Sequence, residues 1–172
     1  DAVSPPDPAV WLQLVEEERV TLWNTVPAFM QLLGSHSEAV RTPLPPSLRL
    51  VFMSGDWIPR SLPSRLRAVS ECASLRIVSM GGATEAAIWS NIYELCADAS
   101  LDAAWKSIPY GRPLRNQTML VLGEQLEHCE PWVTGSIHIG GVGVALGYYG
   151  DAERTAKQFV THPTSGETLF RT

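Results

Sequence analysis

A threonine and a glutamate, Thr84 and Glu85, follow two glycines at the end of an apolar run, Arg76-Ile-Val-Ser-Met-Gly-Gly-Ala-Thr-Glu-Ala-Ala-Ile-Trp89. A hydroxyl beside a carboxylate offers hard oxygen ligands of the kind Mg²⁺ prefers when it bridges to phosphate oxygens. Gly81 and Gly82 can take backbone angles closed to other residues and leave room for a flat ligand to approach the main chain. Phosphate and cation handling at a strand end is the chemistry this order supports. The same string also describes an ordinary strand-to-loop turn with solvated polar side chains, so its surroundings decide its meaning.

Other reactive residues are spaced against catalysis. Cys72, Cys96 and Cys129 are odd in number and far apart, which argues against a disulfide framework and against a CxxC metal or redox site; they read as reduced and structural. His36, His128, His138 and His162 never fall at metal-ligand spacing and read as surface or strand residues. Glu16, Glu17 and Glu18 point in different directions on a helix and form a solvated face. Gly141-Val-Gly-Val-Ala-Leu-Gly147 imitates a dinucleotide fingerprint without its spacing and opens no helix, which leaves turn and packing glycines. A triad of Ser54, Asp56 and His36 lacks the Gly-x-Ser-x-Gly elbow that exposes a hydrolase nucleophile.

With 172 residues, 45% hydrophobic and 18% charged, the chain is long enough for one sizeable core and too apolar for disorder. A net charge of −5 and a pI near 5.3, with no local Lys/Arg cluster, speak against nucleic acid as a partner. No apolar run approaches the ~20 residues of a membrane span. The opening Asp1-Ala-Val-Ser-Pro-Pro-Asp7 is not a signal peptide, so a cytoplasmic location is expected.

The elements that must position Thr84 and Glu85 follow from periodicity. Asp7-Pro8 supplies an N-cap and a first-turn proline for a helix ending near Glu18, with Val10, Trp11, Leu14 and Val15 as its apolar stripe. Residues 20–26 form a strand stopped by Pro27, and residues 28–33 a short helix closed by Gly34. The proline-rich loop 41–47 hands over to a strand at 48–53, ending at Ser54-Gly55-Asp56; a helix follows at 63–71 and a strand at 75–80. Strands separated by helical connections specify βαβ units and a parallel sheet. Open α/β sheets bind ligands beyond the carboxyl ends of their strands, so Asn24, Ser54 and residues 81–85 are expected to converge on one site.

From Ile108 the character changes. Pro109-Tyr-Gly-Arg-Pro113 is a turn-rich crossing, strands are expected at 118–122 and 133–139, and 123–125 and Gly140-Gly141 read as turns. Asp151 caps a last helix running to Phe159, and a strand opens at Thr168. The fold class is α/β, with a parallel-sheet βαβ portion over 1–107 followed by a small antiparallel, barrel-like portion over 108–172 that the sequence cuts short.

Four segments together resemble the central part of a nonribosomal peptide synthetase adenylation domain, within the adenylate-forming enzymes. Ser79-Met-Gly-Gly-Ala-Thr-Glu85 resembles that family's Asn-x-Tyr-Gly-Pro-Thr-Glu motif, and Ile108-Pro-Tyr-Gly-Arg-Pro-Leu114 its Ile-Gly-Arg-Pro crossing. Gly135-Ser-Ile-His-Ile-Gly-Gly-Val-Gly-Val-Ala-Leu-Gly-Tyr-Tyr149, with Arg154, Thr155 and Phe159, is similar to the long barrel motif, and Phe170-Arg-Thr172 to the start of Tyr-Arg-Thr-Gly-Asp. On this resemblance both portions belong to the large subdomain of the adenylation domain.

The resemblance implies that an amino-acid carboxylate attacks the α-phosphate of ATP, pyrophosphate leaves, and the aminoacyl group passes to the phosphopantetheine thiol of a carrier protein domain. Thr84 would contact the phosphates, Glu85 would hold Mg²⁺, and the backbone of Gly81, Gly82 and Ala83 would border the adenine. Gly81 stands where the motif carries an aromatic residue and Ala83 where it carries proline; an adenine that stacks on a ring needs that ring from elsewhere. The amino-acid pocket maps to Asn24, Phe52, Ser54, Met80, Ile88 and Trp89. Apolar walls with two small polar groups suit a small neutral or sulfur-bearing side chain and disfavour a charged one. The set resembles cysteine-activating domains, with serine, threonine or a methylated relative as alternatives. The family's phosphate loop, α-amino-binding aspartate, ribose-binding aspartate and catalytic lysine are not in these residues. The fragment alone is therefore expected to be inactive and to need the N-terminal and C-terminal parts of the domain. A stand-alone acyl- or aryl-CoA ligase, or a non-catalytic fragment binding a small MbtH-like protein, are the competing readings.

Overall fold

In a computed structural model, which describes residues 5–95 and 105–172, Asp7 opens the first helix as its neighbours predict. Its carboxylate accepts from the Ala9 amide at 2.9 Å and Pro8 occupies the first turn of α1, Pro8–Glu17. The buried stripe is Leu12 and Val15 with Trp11 half-buried, whereas Val10 and Leu14 are exposed, so the helix is rotated relative to the expected face. Trp11 stays on the packed side, its ring centroid 6.0 Å edge-on from that of Trp23 and 5.1 Å from that of Phe29. Cys96 lies outside the described residues.

Two compact units are present, one of residues 1–79 and 93–109 and the other of residues 80–92 and 110–172. The segment around Thr84 and Glu85 therefore groups with the β-rich part of the chain.

In the first unit β1, Leu22–Thr25, β2, Leu50–Met53, and β3, Arg76–Gly81, alternate with α2, Pro27–Val40, and α3, Leu62–Ala68. The strands are parallel, as βαβ connections require, and Thr25, Met53 and Ser79 align in register at their carboxyl ends. α2 continues well past Gly34, the residue expected to close it. Gly34 is buried, and a Cβ there would lie 3.2 Å from Leu66 Cδ2 of α3, so this glycine admits a close helix neighbour instead of ending a helix. The stop comes at Arg41, in the left-handed region at φ 55°. Met30 and Leu33 from α2, Val51 and Met53 from β2, Leu66 from α3 and Ile77 from β3 are all fully buried in one aliphatic core. A strand that the sequence reading lacked, β4, Asn91–Leu95, enters this unit with Tyr93, and its Glu94 pairs with Arg76 at 2.6 Å.

In the second unit the first residues of β4 pair antiparallel with β5, Arg112–Pro113. Four more strands, β6, Gln117–Leu122, β7, Ser136–Gly141, β8, Phe159–Thr161, and β9, Thr168–Arg171, form an antiparallel sheet ordered β6-β7-β9-β8. Leu122, Ile139, Leu169 and Phe170 are its buried residues, and His138 is buried with them, a strand histidine with Nδ1 3.1 Å from the Ser136 carbonyl oxygen. Gly140 and Gly141, expected to turn, are instead the last residues of β7, paired with Thr118 and Gln117. They are glycines because their neighbours press on them: a Cβ on Gly140 would meet Leu169 at 2.7 Å, and one on Gly141 would meet Gln117 Cα at 2.8 Å. The last helix, α4, Ala152–Gln158, is capped by Asp151, which accepts from the Arg154 amide at 2.9 Å.

Candidate functional site

Gly81 ends β3 fully buried, and a Cβ built there would lie 2.8 Å from Asn91 Oδ1 and overlap the Tyr110 ring. Gly82 follows at φ 147°, where a Cβ would sit 2.5 Å from the Ile88 carbonyl oxygen and 2.7 Å from the Ser90 amide. Both glycines are thus required by close packing, and Gly82 by its backbone angle as well. From Ala83 the chain makes a single 3₁₀ turn, Thr84–Ala86, and closes on itself: the Ile88 amide reaches the Ala83 carbonyl at 2.9 Å and the Ser90 amide the Gly81 carbonyl at 2.7 Å. Ser90, fully buried, donates from Oγ to the Ala86 carbonyl at 3.0 Å.

Closing this loop puts Ala87 at φ 58° and Ile88 at φ 67°, both left-handed. A β-branched residue there is a true outlier, and such strain collects where a fold holds a functional geometry. Ile88 is exposed, Trp89 half-buried, Met80 half-buried, Thr84 exposed and Glu85 half-buried.

Glu85 is held from the other end of the unit. The Tyr148 hydroxyl donates to Glu85 Oε1 at 2.5 Å, and the Ala145 amide donates to the Glu85 carbonyl at 2.8 Å. Tyr148 is itself fixed: its amide donates to Thr155 Oγ1 at 2.9 Å, and the Arg154 guanidinium carbon lies 3.8 Å from its ring centroid. The hydrogen bond to the Glu85 carboxylate pushes the Tyr148 phenol above its ordinary value of 10.0, with Arg154 pulling the other way. These partners were not read from the sequence as site residues. The glycine-rich 141–147 run, dismissed as a nucleotide fingerprint, works by carrying Ala145 and Tyr148 to Glu85.

Among the described residues no group of three or more His, Cys, Asp or Glu side chains is placed to hold a metal ion. One carboxylate beside a hydroxyl does not make a protein cage, but it suits Mg²⁺ that arrives with phosphate oxygens and keeps waters of its own.

In the first unit, Asn24 on β1 and Phe52 on β2 are register partners, Asn24 exposed and Phe52 half-buried. Ser54 follows β2, half-buried, with its amide donating to the Thr25 carbonyl at 3.2 Å. The three lie at the carboxyl ends of adjoining parallel strands, as expected. Asp56, the third member of the discarded triad, has its Oδ1 accepting from the Trp57 amide at 2.7 Å. A groove lined by Glu16, Arg19, Glu71 and the proline loop shares none of these residues. No helix among the described residues is long and apolar enough to cross a membrane.

Residues 1–149 match the family model of the AMP-binding enzymes. Pyochelin synthetase PchF of Pseudomonas aeruginosa is 49% identical over 167 residues, a match that covers 96% of this chain and 9% of that protein. The nonribosomal peptide synthetase FmoA3, in an α-methyl-L-serine-AMP bound form, superimposes with a TM-score of 0.88 at 41% identity, over 96% of this chain and 18% of that one. An AMPPNP-bound form of FmoA3 gives a TM-score of 0.87. PA1221, a nonribosomal peptide synthetase protein containing adenylation and PCP domains, gives 0.80 at 27% identity, over 99% of this chain and 33% of that one. The chain thus spans about a tenth of the length of the curated relative it matches at 49% identity.

Proposed function

The chain belongs to the AMP-binding enzyme family, and from that premise we propose that it is the central part of an amino-acid-activating adenylation domain. In the whole domain an amino-acid carboxylate oxygen bonds to the α-phosphorus of ATP, the bond to the β-phosphate oxygen breaks, and pyrophosphate leaves. The aminoacyl group then passes to a carrier-domain phosphopantetheine thiol and AMP departs. The observation that carries this reading is the strained, closed loop that presents Thr84 and Glu85, with Glu85 held by Tyr148. Catalysis of this kind is positioning plus neutralisation of phosphate charge, which a fixed carboxylate and hydroxyl serve. Thr84 would contact phosphate oxygens and Glu85 would hold Mg²⁺, which when bound would offset charge on the phosphates. The AMPPNP and aminoacyl-AMP bound forms of FmoA3 support the nucleotide assignment.

Motif order assigns side-chain choice to Asn24, Phe52 and Ser54 in the α/β unit and to Met80, Ile88 and Trp89 in the β-rich unit. Their chemistry favours a small neutral amino acid, with L-cysteine as the lead. The α-methyl-L-serine adenylate in FmoA3 favours serine or its methylated relative as the second reading. PA1221, with its PCP domain, supports a carrier domain as partner.

The test is amino-acid-dependent ATP–pyrophosphate exchange by the full-length protein. Exchange with cysteine or serine and none with charged amino acids is expected; strong exchange with aryl or fatty acids alone would make it a CoA-ligase-type enzyme. Asn24→Ala or Trp89→Ala is expected to change the preferred amino acid more than the KM for ATP, and equal loss with every substrate would mean structural damage instead.

A further inference from the structure

Gly81 has no side chain, and the space a side chain would fill is already taken. The Cε2 and Cζ atoms of Tyr110 lie against it, Cζ 2.7 Å from where a Cβ would be. Tyr110 reaches this position from the turn before β5, and the buried Asn91 pins it there by donating from Nδ2 to the Tyr110 carbonyl oxygen. Asn91 is itself fixed in β4, paired with Pro113 three residues beyond Tyr110. The ring is therefore placed from two sides, and yet Tyr110 remains 43% exposed. An aromatic ring normally gains by burial; one anchored through its backbone, packed on a glycine and left open is arranged to meet another flat group. The residues that follow Gly81 lead within four positions to Thr84 and Glu85, so such a group would sit within a nucleotide's reach of the proposed phosphate ligands.

We propose that Tyr110 supplies the aromatic surface on which the purine base of the nucleotide stacks, the Gly81 backbone and the Tyr110 ring acting as one platform. This rests on the adenylation reading above. Glycine at 81 and tyrosine at 110 are then a matched pair: a side chain at 81 displaces the ring, and the absence of one makes room for it. Base–aromatic stacking is sequence-tolerant and moderate, which puts the effect of losing the ring at about tenfold in nucleotide affinity.

The experiment is equilibrium binding of AMPPNP to the full-length protein by calorimetry, together with KM values in ATP–pyrophosphate exchange, for the wild type, Tyr110→Phe, Tyr110→Leu and Gly81→Ala. Tyr110→Phe keeps the ring and is expected to bind within about twofold of wild type. Tyr110→Leu keeps bulk without the π face and is expected to lose about tenfold in AMPPNP affinity and in KM for ATP, with the KM for the amino acid unchanged. Gly81→Ala is expected to follow Tyr110→Leu. Wild-type AMPPNP affinity in Tyr110→Leu, or equal losses in Tyr110→Phe and Tyr110→Leu, would overturn the platform while leaving the adenylation reading intact. A wild-type protein that binds no AMPPNP would overturn both.

Discussion

Among the described residues of the α/β unit, left-handed backbone occurs at Arg19, Arg41 and Gly55; in the β-rich unit it recurs at Ala87, Ile88, Asn116, Leu126 and Trp132 and at six glycines from Gly82 to Gly166. The first unit is shaped by aliphatic side chains at strand and helix spacing, buried together without backbone cost. The second keeps a small sheet and spends the rest of its chain in closed turns whose positions are fixed by hydrogen bonds and by glycines with no room for a side chain. Rigidity in the first comes from volume, and in the second from conformation. Thr84 and Glu85, the residues proposed to meet the nucleotide phosphates, lie in the second.

The contrast predicts where each unit breaks. Leu33→Ala or Ile77→Ala leaves a cavity in the aliphatic core and is expected to cost about 2–5 kcal/mol in denaturant unfolding; a loss near zero would mean the core does not hold the unit. Gly82→Ala acts through backbone angle and contact at once and should cost about 1–3 kcal/mol, with pyrophosphate exchange falling further than stability does. Wild-type melting and exchange in that variant would show the loop is not strained. Ile88→Gly should do the opposite, raising stability by about 1 kcal/mol, because Ile88 is exposed and its left-handed backbone suits glycine. A destabilised Ile88→Gly would mean the isoleucine contributes packing that outweighs its strain.

The smallest effect is spectroscopic. The raised Tyr148 value means the folded chain holds that phenolic proton more tightly, so this contribution to stability is complete below the ordinary tyrosine range and is lost as pH rises through the elevated value. In an ultraviolet difference titration, the raised ionisation of Tyr148 should disappear in Tyr148→Phe and move back toward 10.0 in Glu85→Ala. Unchanged titration in both variants would remove Tyr148 from the site.

The same contrast governs what the sequence made legible. β1, β2 and β3 were readable because β-branched and apolar runs bounded by Pro27, Ser54 and Gly81 leave little choice. By propensity Gly34 ends α2, while in the fold it answers to Leu66 and the helix continues to Val40. β4 escaped notice behind the irregular loop that precedes it. Thr84 and Glu85 stood out as residue types, but a left-handed Ile88 runs against its own propensity, and Tyr148 lies 63 residues from Glu85, a separation no local pattern spans. Local chemistry was visible and its supports were not.

The most direct measurement is the rate of amino-acid-dependent ATP–pyrophosphate exchange in the full-length protein carrying Glu85→Gln, followed as Mg²⁺ concentration is raised. The expected result is exchange reduced at least about tenfold, partly recovered at high Mg²⁺, with folding unchanged by circular dichroism. Wild-type exchange at every Mg²⁺ concentration would contradict the assignment of Glu85 and, with it, the placement of the phosphate chemistry on this loop.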